Sequence, residues 1–219
     1  MDKTKKVFLA KSVAYYSLGV VVMTFGITMP VRADIGVAPG GLIPFAVSQL
    51  TPLTIGQCAA MFHIFCMLLQ LAITRKPTIK LLLQFPMAFV VGFMMDVFYA
   101  WLDIGEQSML FRVMFLIAGM FVFSLGIRII VGANVLISPA DGLAQSIGNA
   151  FGWPMSKAKL VFDIVVTAFT ALLTLALARD PLIAVGIGTA ICTVGTGPII
   201  GLYTKLFPFF DMDKTDKKK

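Results

Sequence analysis

Charge is scarce in this chain, and so are the residue patterns on which catalysis is usually built. Of 219 residues only 13% are Asp, Glu, Lys or Arg. A soluble domain carries about 25%, so a soluble enzyme and a disordered adaptor are both excluded. Cysteine is limited to Cys58, Cys66 and Cys192, an odd number, all inside apolar runs and without CxxC spacing. That argues against a secreted disulfide scaffold and a metal site, and reads the thiols as small apolar fillers. The chain also lacks a phosphate-binding loop, an HExxH motif and a nucleophile elbow. Direct ATP hydrolysis is therefore excluded. The expectation is a protein that is not an enzyme and uses no cofactor or metal.

What replaces charge is apolar bulk. AVILMFWYC residues make up 58% of the chain, with 19 Phe, 19 Gly and 13 Met, and the mean hydropathy is +0.92. One soluble core cannot hide that excess, so the chain is read as an all-α polytopic membrane protein. Six stretches are long enough to cross a bilayer, near 13–31, 54–74, 79–102, 112–131, 157–178 and 182–207. Two further stretches, 34–50 and 133–152, are apolar enough to enter the membrane. They are too short to cross it, and are broken by Pro39, Gly40, Gly41 and Pro44 or by Pro139, Asp141 and Gly142. They are read as re-entrant half-helices.

Basic residues decide between six crossings and eight. With six, one side of the membrane holds Lys3, Lys5, Lys6, Lys11, Arg75, Lys76, Lys80, Arg128, Lys157, Lys159, Lys205 and the lysines at 214 and 217–219. That is 15 of the 18 basic residues, leaving Arg32, Arg112 and Arg179 on the other side. Eight crossings would divide them 12 to 6. The positive-inside rule prefers six, with both termini cytoplasmic. The net charge of +7 is then a property of membrane-edge tails that meet anionic lipid, not a nucleic-acid footprint.

The two halves resemble each other. At an offset of 100, Gly19, Val22, Gly26, Ile27, Val31, Ala33 and Pro39 fall on Gly119, Val122, Gly126, Ile127, Val131, Ala133 and Pro139. After one inserted residue Gly41 and Leu42 match Gly142 and Leu143, and later Arg75, Pro77 and Tyr99 match Arg179, Pro181 and Tyr203. Shared membrane composition supplies some matches, but Gly and Pro at the same places within the broken segments are harder to obtain by chance. Three crossings per half is odd, so the second half inserts upside down, giving an inverted 3+3 repeat. The expected organisation is a single membrane domain over 1–219, repeats over 13–102 and 112–207, and charged cytoplasmic tails over 1–12 and 208–219.

The two short helices are expected to begin at Pro39 and Pro139, since proline suits the first helical position. Their N-termini then point toward the middle of the membrane, where free N–H groups and partial positive charge attract anions. Ser138 and Asp141 read as a capping box. In the first half Ala38, Pro39, Gly40 and Gly41 supply no side-chain cap. A bare end facing one that bears Asp141 suits a solute with acceptor and donor groups, held by Ala38, Pro39, Gly40, Gly41, Ser138, Asp141 and Gln145. The alternative is that the glycines serve close packing and Asp141 only caps its helix. His63 and Asp163 occupy equivalent positions at the offset of 100 and are candidates for proton coupling. Against that, Lys159 lies four residues before Asp163 and can neutralise it, and His63 can bond a carbonyl. Asp96 is read as lining a mouth.

The run DIGVAPGGL at 34–42, repeated as NVLISPADGL at 134–143, resembles the YczE/YitT-like integral membrane proteins of bacteria. The similarity covers nearly the whole chain outside the tails. It implies a bacterial cytoplasmic membrane and carries over neither a reaction nor site residues. The function expected is a secondary transporter for a small polar organic solute, amino-acid-like, zwitterionic or anionic, working by alternating access. Two alternatives stand beside it. One is a passive channel with paired re-entrant helices, disfavoured because Asn-Pro-Ala motifs are missing. The other is a membrane-embedded binding subunit of an ATP-driven importer, which needs a partner ATPase. The expected partners are the solute and membrane lipid, with a homo-oligomer left open and no nucleic acid.

Overall fold

The computed structural model describes residues 3–179 and 184–207, and every regular element among them is a helix. In chain order these are α1 (Lys3–Ala33), α2 (Pro39–Leu50), α3 (Ile55–Thr74), α4 (Ile79–Trp101), α5 (Met109–Ala133), α6 (Pro139–Phe151), α7 (Met155–Ala178) and α8 (Ile187–Leu206). Six of them, all but α2 and α6, are long and apolar enough to cross a membrane. The protein is a multi-pass membrane protein. With 12 and 13 residues, α2 and α6 are about 20 Å long, short of a hydrocarbon core of about 30 Å.

The expected boundaries hold closely in the middle of the chain and shift at a few ends. Helix α5 starts at Met109, three residues before Arg112, because the Ser108 hydroxyl accepts from the Phe111 N–H. Arg112 is thus inside the helix and reaches back to Asp34 at 3.4 Å. Residues 3–12, expected as a tail, belong to α1. The expected tail over 208–219, and Pro181 of the repeat, lie outside the described residues. The three cysteines are buried and free.

The centre of the fold is the antiparallel crossing of α1 and α5, and glycine makes it close. A Cβ on Gly26 would collide with the backbone of Phe123, and one on Gly126 with the backbone of Met23. Further along, Gly19 faces Ile130 while Gly119 faces Pro30 and Met29. The contacts are reciprocal: each glycine of one helix meets the residue that its counterpart's helix offers at the matching place. Around this pair, α4 lies on α1 and α8 on α5, α2 on α7 and α6 on α3. Helix α3 packs along α4 through Gly56 and Gly92, whereas α7 and α8 have no packing of that extent.

Backbone conformation repeats as well. Asp34, Arg75, Asn134 and Arg179 are the described non-glycine residues with positive φ, at 54°, 52°, 51° and 58°. Such residues are uncommon, yet here they form two pairs at matched positions of the two halves. Arg75, Asn134 and Arg179 each stand at the left-handed C-cap of a long helix, and Asp34 directly follows the last residue of α1.

The linker from α1 to α2 is tied to the start of α8. The Gly188 N–H donates to the Ile35 carbonyl at 2.8 Å, and the Val37 N–H donates to the Thr189 hydroxyl at 3.1 Å. Helix α2 then packs back along the fold. Gly41 lies against Ile27 of α1, and Phe45 and Ala46 belong to a cluster with Ile55 and Ala59 of α3.

Candidate functional site

Ionisable groups gather where the first turn of α6 meets α3 and α7. Pro139 opens α6, its missing N–H costing nothing at the first position, and Asp141 follows in the same turn. The Lys159 ammonium lies 3.1 Å from Asp141 Oδ1 and donates to Asp163 Oδ1 at 2.8 Å. Lys159 and Asp163 are one helical turn apart on α7, which places both on one face. One lysine thus bridges two carboxylates. Its side chain keeps 35% of its exposure, Asp141 keeps 29% and Asp163 15%, so the cluster is recessed but not sealed.

From α3 come His63 and Gln70. His63 Nδ1 and Gln70 Nε2 are buried without a hydrogen-bond partner. The Gln70 amide lies directly over the first turn of α6, where a Cβ on Gly142 would run into it. Asp141 is within electrostatic reach of His63 and Cys66, and Lys159 of Cys66. The surroundings are apolar: Phe62, Cys66, Ala140 and Leu143 form the local core, with Ile43, Ile147 and Phe162 packed against it. Buried polar groups in such a setting are normally satisfied, which makes the two orphans conspicuous.

Three of the expected site residues, Asp141, Asp163 and His63, therefore come together, and Lys159 and Gln70 join them. The spacing of Lys159 and Asp163 was visible in the sequence and reads as simple neutralisation. The reach of Lys159 to Asp141, on another helix, had no local signal. One expectation changes. Ser138 occupies the N-cap position of α6 but its side chain makes no capping hydrogen bond. The expected capping box is not formed, and the Asp141 carboxylate that would supply its second half is engaged by Lys159. Gln145, one turn beyond Asp141, is exposed.

In the first half the start of α2 has no side-chain cap at Ala38, as the sequence suggests. Ala38, Pro39 and Gly41 are buried. A Cβ on Gly41 would press on Val37 and approach Ile27, whereas one on Gly40 meets nothing within 4 Å. Gly40 is the glycine that faces open space. The starts of α2 and α6 are linked through Ile43 and Phe162, which pack against both apolar clusters.

Asp96 has a structural task beyond lining a mouth. It accepts from the Thr54 hydroxyl and the Gly56 N–H, both at 2.7 Å, and so fastens the start of α3 to α4. It also borders a pocket of about 290 Å³ with Ser48, Gln49, Thr54 and Tyr99. Gln57 completes a capping box with Thr54, a signal legible as T-x-x-Q. Gln84 donates to the Ile137 carbonyl at 3.2 Å, bracing the linker that leads to α6.

Comparison with known proteins gives the chain a family and a distant relative. The chain is 22% identical over 194 residues to the uncharacterized protein YyaS of Bacillus subtilis (strain 168), an alignment spanning 86% of this chain and 90% of that protein. No solved structure matches it. The profile of the family of unknown function DUF6198 matches residues 10–205, nearly the whole helical body, and the chain belongs to that family.

Proposed function

We propose that this protein is a secondary transporter for a small polar organic solute, moving it across a bacterial cytoplasmic membrane by alternating access. The observation that carries the reading is the Asp141–Lys159–Asp163 bridge at the start of a short helix, beside the unpartnered His63 and Gln70. Ionisable groups at membrane depth are expensive and are functional by default. Discontinuous helices that begin inside the membrane are where secondary transporters bind solute.

In this reading α2 and α6 are re-entrant half-helices and the two halves form an inverted repeat. Supporting it are the reciprocal glycine contacts of α1 and α5 and the two matched pairs of left-handed residues. The distribution of basic residues supports cytoplasmic termini, and the YczE/YitT-like motif supports a bacterial cell membrane. Helix α7 then starts on the cytoplasmic side, and the partly exposed Lys159 opens that way.

Topology is testable by labelling. Cysteine introduced at position 78 should resist an impermeant maleimide added to intact cells, while cysteine at position 106 should react. The native thiols are buried and give a low background. Equal labelling of both positions would remove the re-entrant arrangement. For function, purified protein is screened by thermal stabilisation against amino acids, organic acids and amines, and hits are tested for uptake or counterflow in proteoliposomes. A ligand at 100 times its Kd should raise stability by about 2.7 kcal/mol. Stabilisation and counterflow by one compound are expected; a full screen without a hit would sink the reading.

A further inference from the structure

The charges of the cluster do not balance, and the imbalance specifies what it binds. Helix α6 contributes Asp141, and α7 contributes Lys159 and Asp163. Helix α3 contributes His63 and Cys66, and α2, which packs on α7, carries no ionisable side chain. Lys157 of α7 stands over the Trp153 ring at 4.6 Å, and Asp96 of α4 is engaged at the start of α3. Two carboxylates therefore share one ammonium. A surplus negative charge within an apolar bundle is costly unless something neutralises it.

Resting on the transporter reading, we infer that this cluster is a cation-exchange site. Its surplus charge is neutralised alternately by a proton and by an ammonium-bearing organic solute, so that solute and proton move in opposite directions. Lys159 marks the seat. Its ammonium sits 2.8 Å and 3.1 Å from two carboxylate oxygens, the environment that a solute's ammonium would seek. An anion would find the one positive charge already bracketed on both sides. Lysine is a compact charge on a flexible stem, so it can yield one carboxylate to an incoming cation and keep the other. His63 Nδ1 and Gln70 Nε2 remain to bond the polar part of the solute. Binding and release balance simply: the carboxylate gives up its proton to water when the cation arrives and takes one when the cation leaves.

The test uses full-length protein in lipid nanodiscs with n-propylammonium, 1,4-diaminobutane and tetramethylammonium as probes, and acetate and succinate as controls. At least one cation should raise the thermal midpoint, with about one proton released per cation bound, read by an indicator in weak buffer. Because one proton competes for the site, the half-saturating concentration should rise about tenfold per pH unit on the acid side. Asp163→Asn makes the cluster neutral and should abolish both the stabilisation and the proton release. Lys159→Met doubles the surplus and should bind the same cation at least tenfold more tightly, the opposite of what a purely structural lysine would give. If Lys159→Met does not fold, Asp163→Asn and the proton count decide. Failure of all three cations, or stabilisation without proton release, overturns the inference. Stabilisation by acetate or succinate alone overturns it and leaves the transporter reading standing, whereas silence across the wider screen removes both.

Discussion

Gly26→Val is expected to prevent the protein from folding into a monodisperse form. The β-carbon of any residue at this position would enter the space of the Phe123 backbone N and Cα. A flexible side chain can swing away from such a clash, but a helix backbone cannot. The only relief is to part α1 from α5, which also opens the contacts of Gly19 with Ile130 and of Gly119 with Pro30. Overpacking a core by side chains alone costs typically about 1–3 kcal/mol. Separating two central helices should exceed that, and a loss above about 4 kcal/mol is a large share of the stability of most proteins. Because the crossing is reciprocal, Gly126→Val, which meets the Met23 backbone, should be equally damaging. Gly40→Ala is the control: its Cβ meets nothing, and it should match the parent within about 0.5 kcal/mol. Size-exclusion profiles and thermal midpoints of the three variants check this. A parent-like Gly26→Val would mean that the helices do not cross as described.

The same glycines show what a sequence can and cannot say. Gly19, Gly26, Gly119 and Gly126 are visible as repeat markers, because matching residues at a fixed offset need no knowledge of space. That they face each other across one crossing is a tertiary fact. Long apolar runs and prolines are local signals, so the long helices and the starts of α2 and α6 at Pro39 and Pro139 are legible within a few residues, except that α1 begins at Lys3, ten residues before its expected start at 13. Boundaries drift where a charge misleads: Arg112 looks like a membrane edge but lies inside α5, because Ser108 caps the helix four residues earlier. The site was half legible. Asp141, Asp163 and His63 stand out as ionisable groups in apolar runs, while the capping role of Ser138 was inferred from a pattern that competes with Lys159 for the same carboxylate. Gln70 carries no signal at all, since its meaning depends on Gly142 lying beneath it.

The bridge itself should be the second most sensitive point of the molecule. Lys159→Met keeps most of the unbranched stem and removes the ammonium, leaving Asp141 and Asp163 without their common partner. Breaking a buried pair by removing one member costs about 3–5 kcal/mol, chiefly because a charge is left buried and uncompensated. Lys159 retains 35% of its side-chain exposure, so water screens part of this and a loss of about 2–3 kcal/mol is expected. The sign with pH follows directly. Protonating a carboxylate removes the stranded charge, so the deficit relative to the parent should be largest at alkaline pH and shrink as the pH falls. Asp163→Asn should be as stable as the parent or slightly more so, since the remaining Asp141 and Lys159 then balance. Adding both Asp141→Asn and Asp163→Asn to Lys159→Met eliminates every charge of the cluster and should recover most of the lost midpoint, because no buried charge is then left without a partner. If the triple variant is no better than Lys159→Met, the cost lies in packing of the lysine stem rather than in stranded charge, and the electrostatic account of the cluster fails.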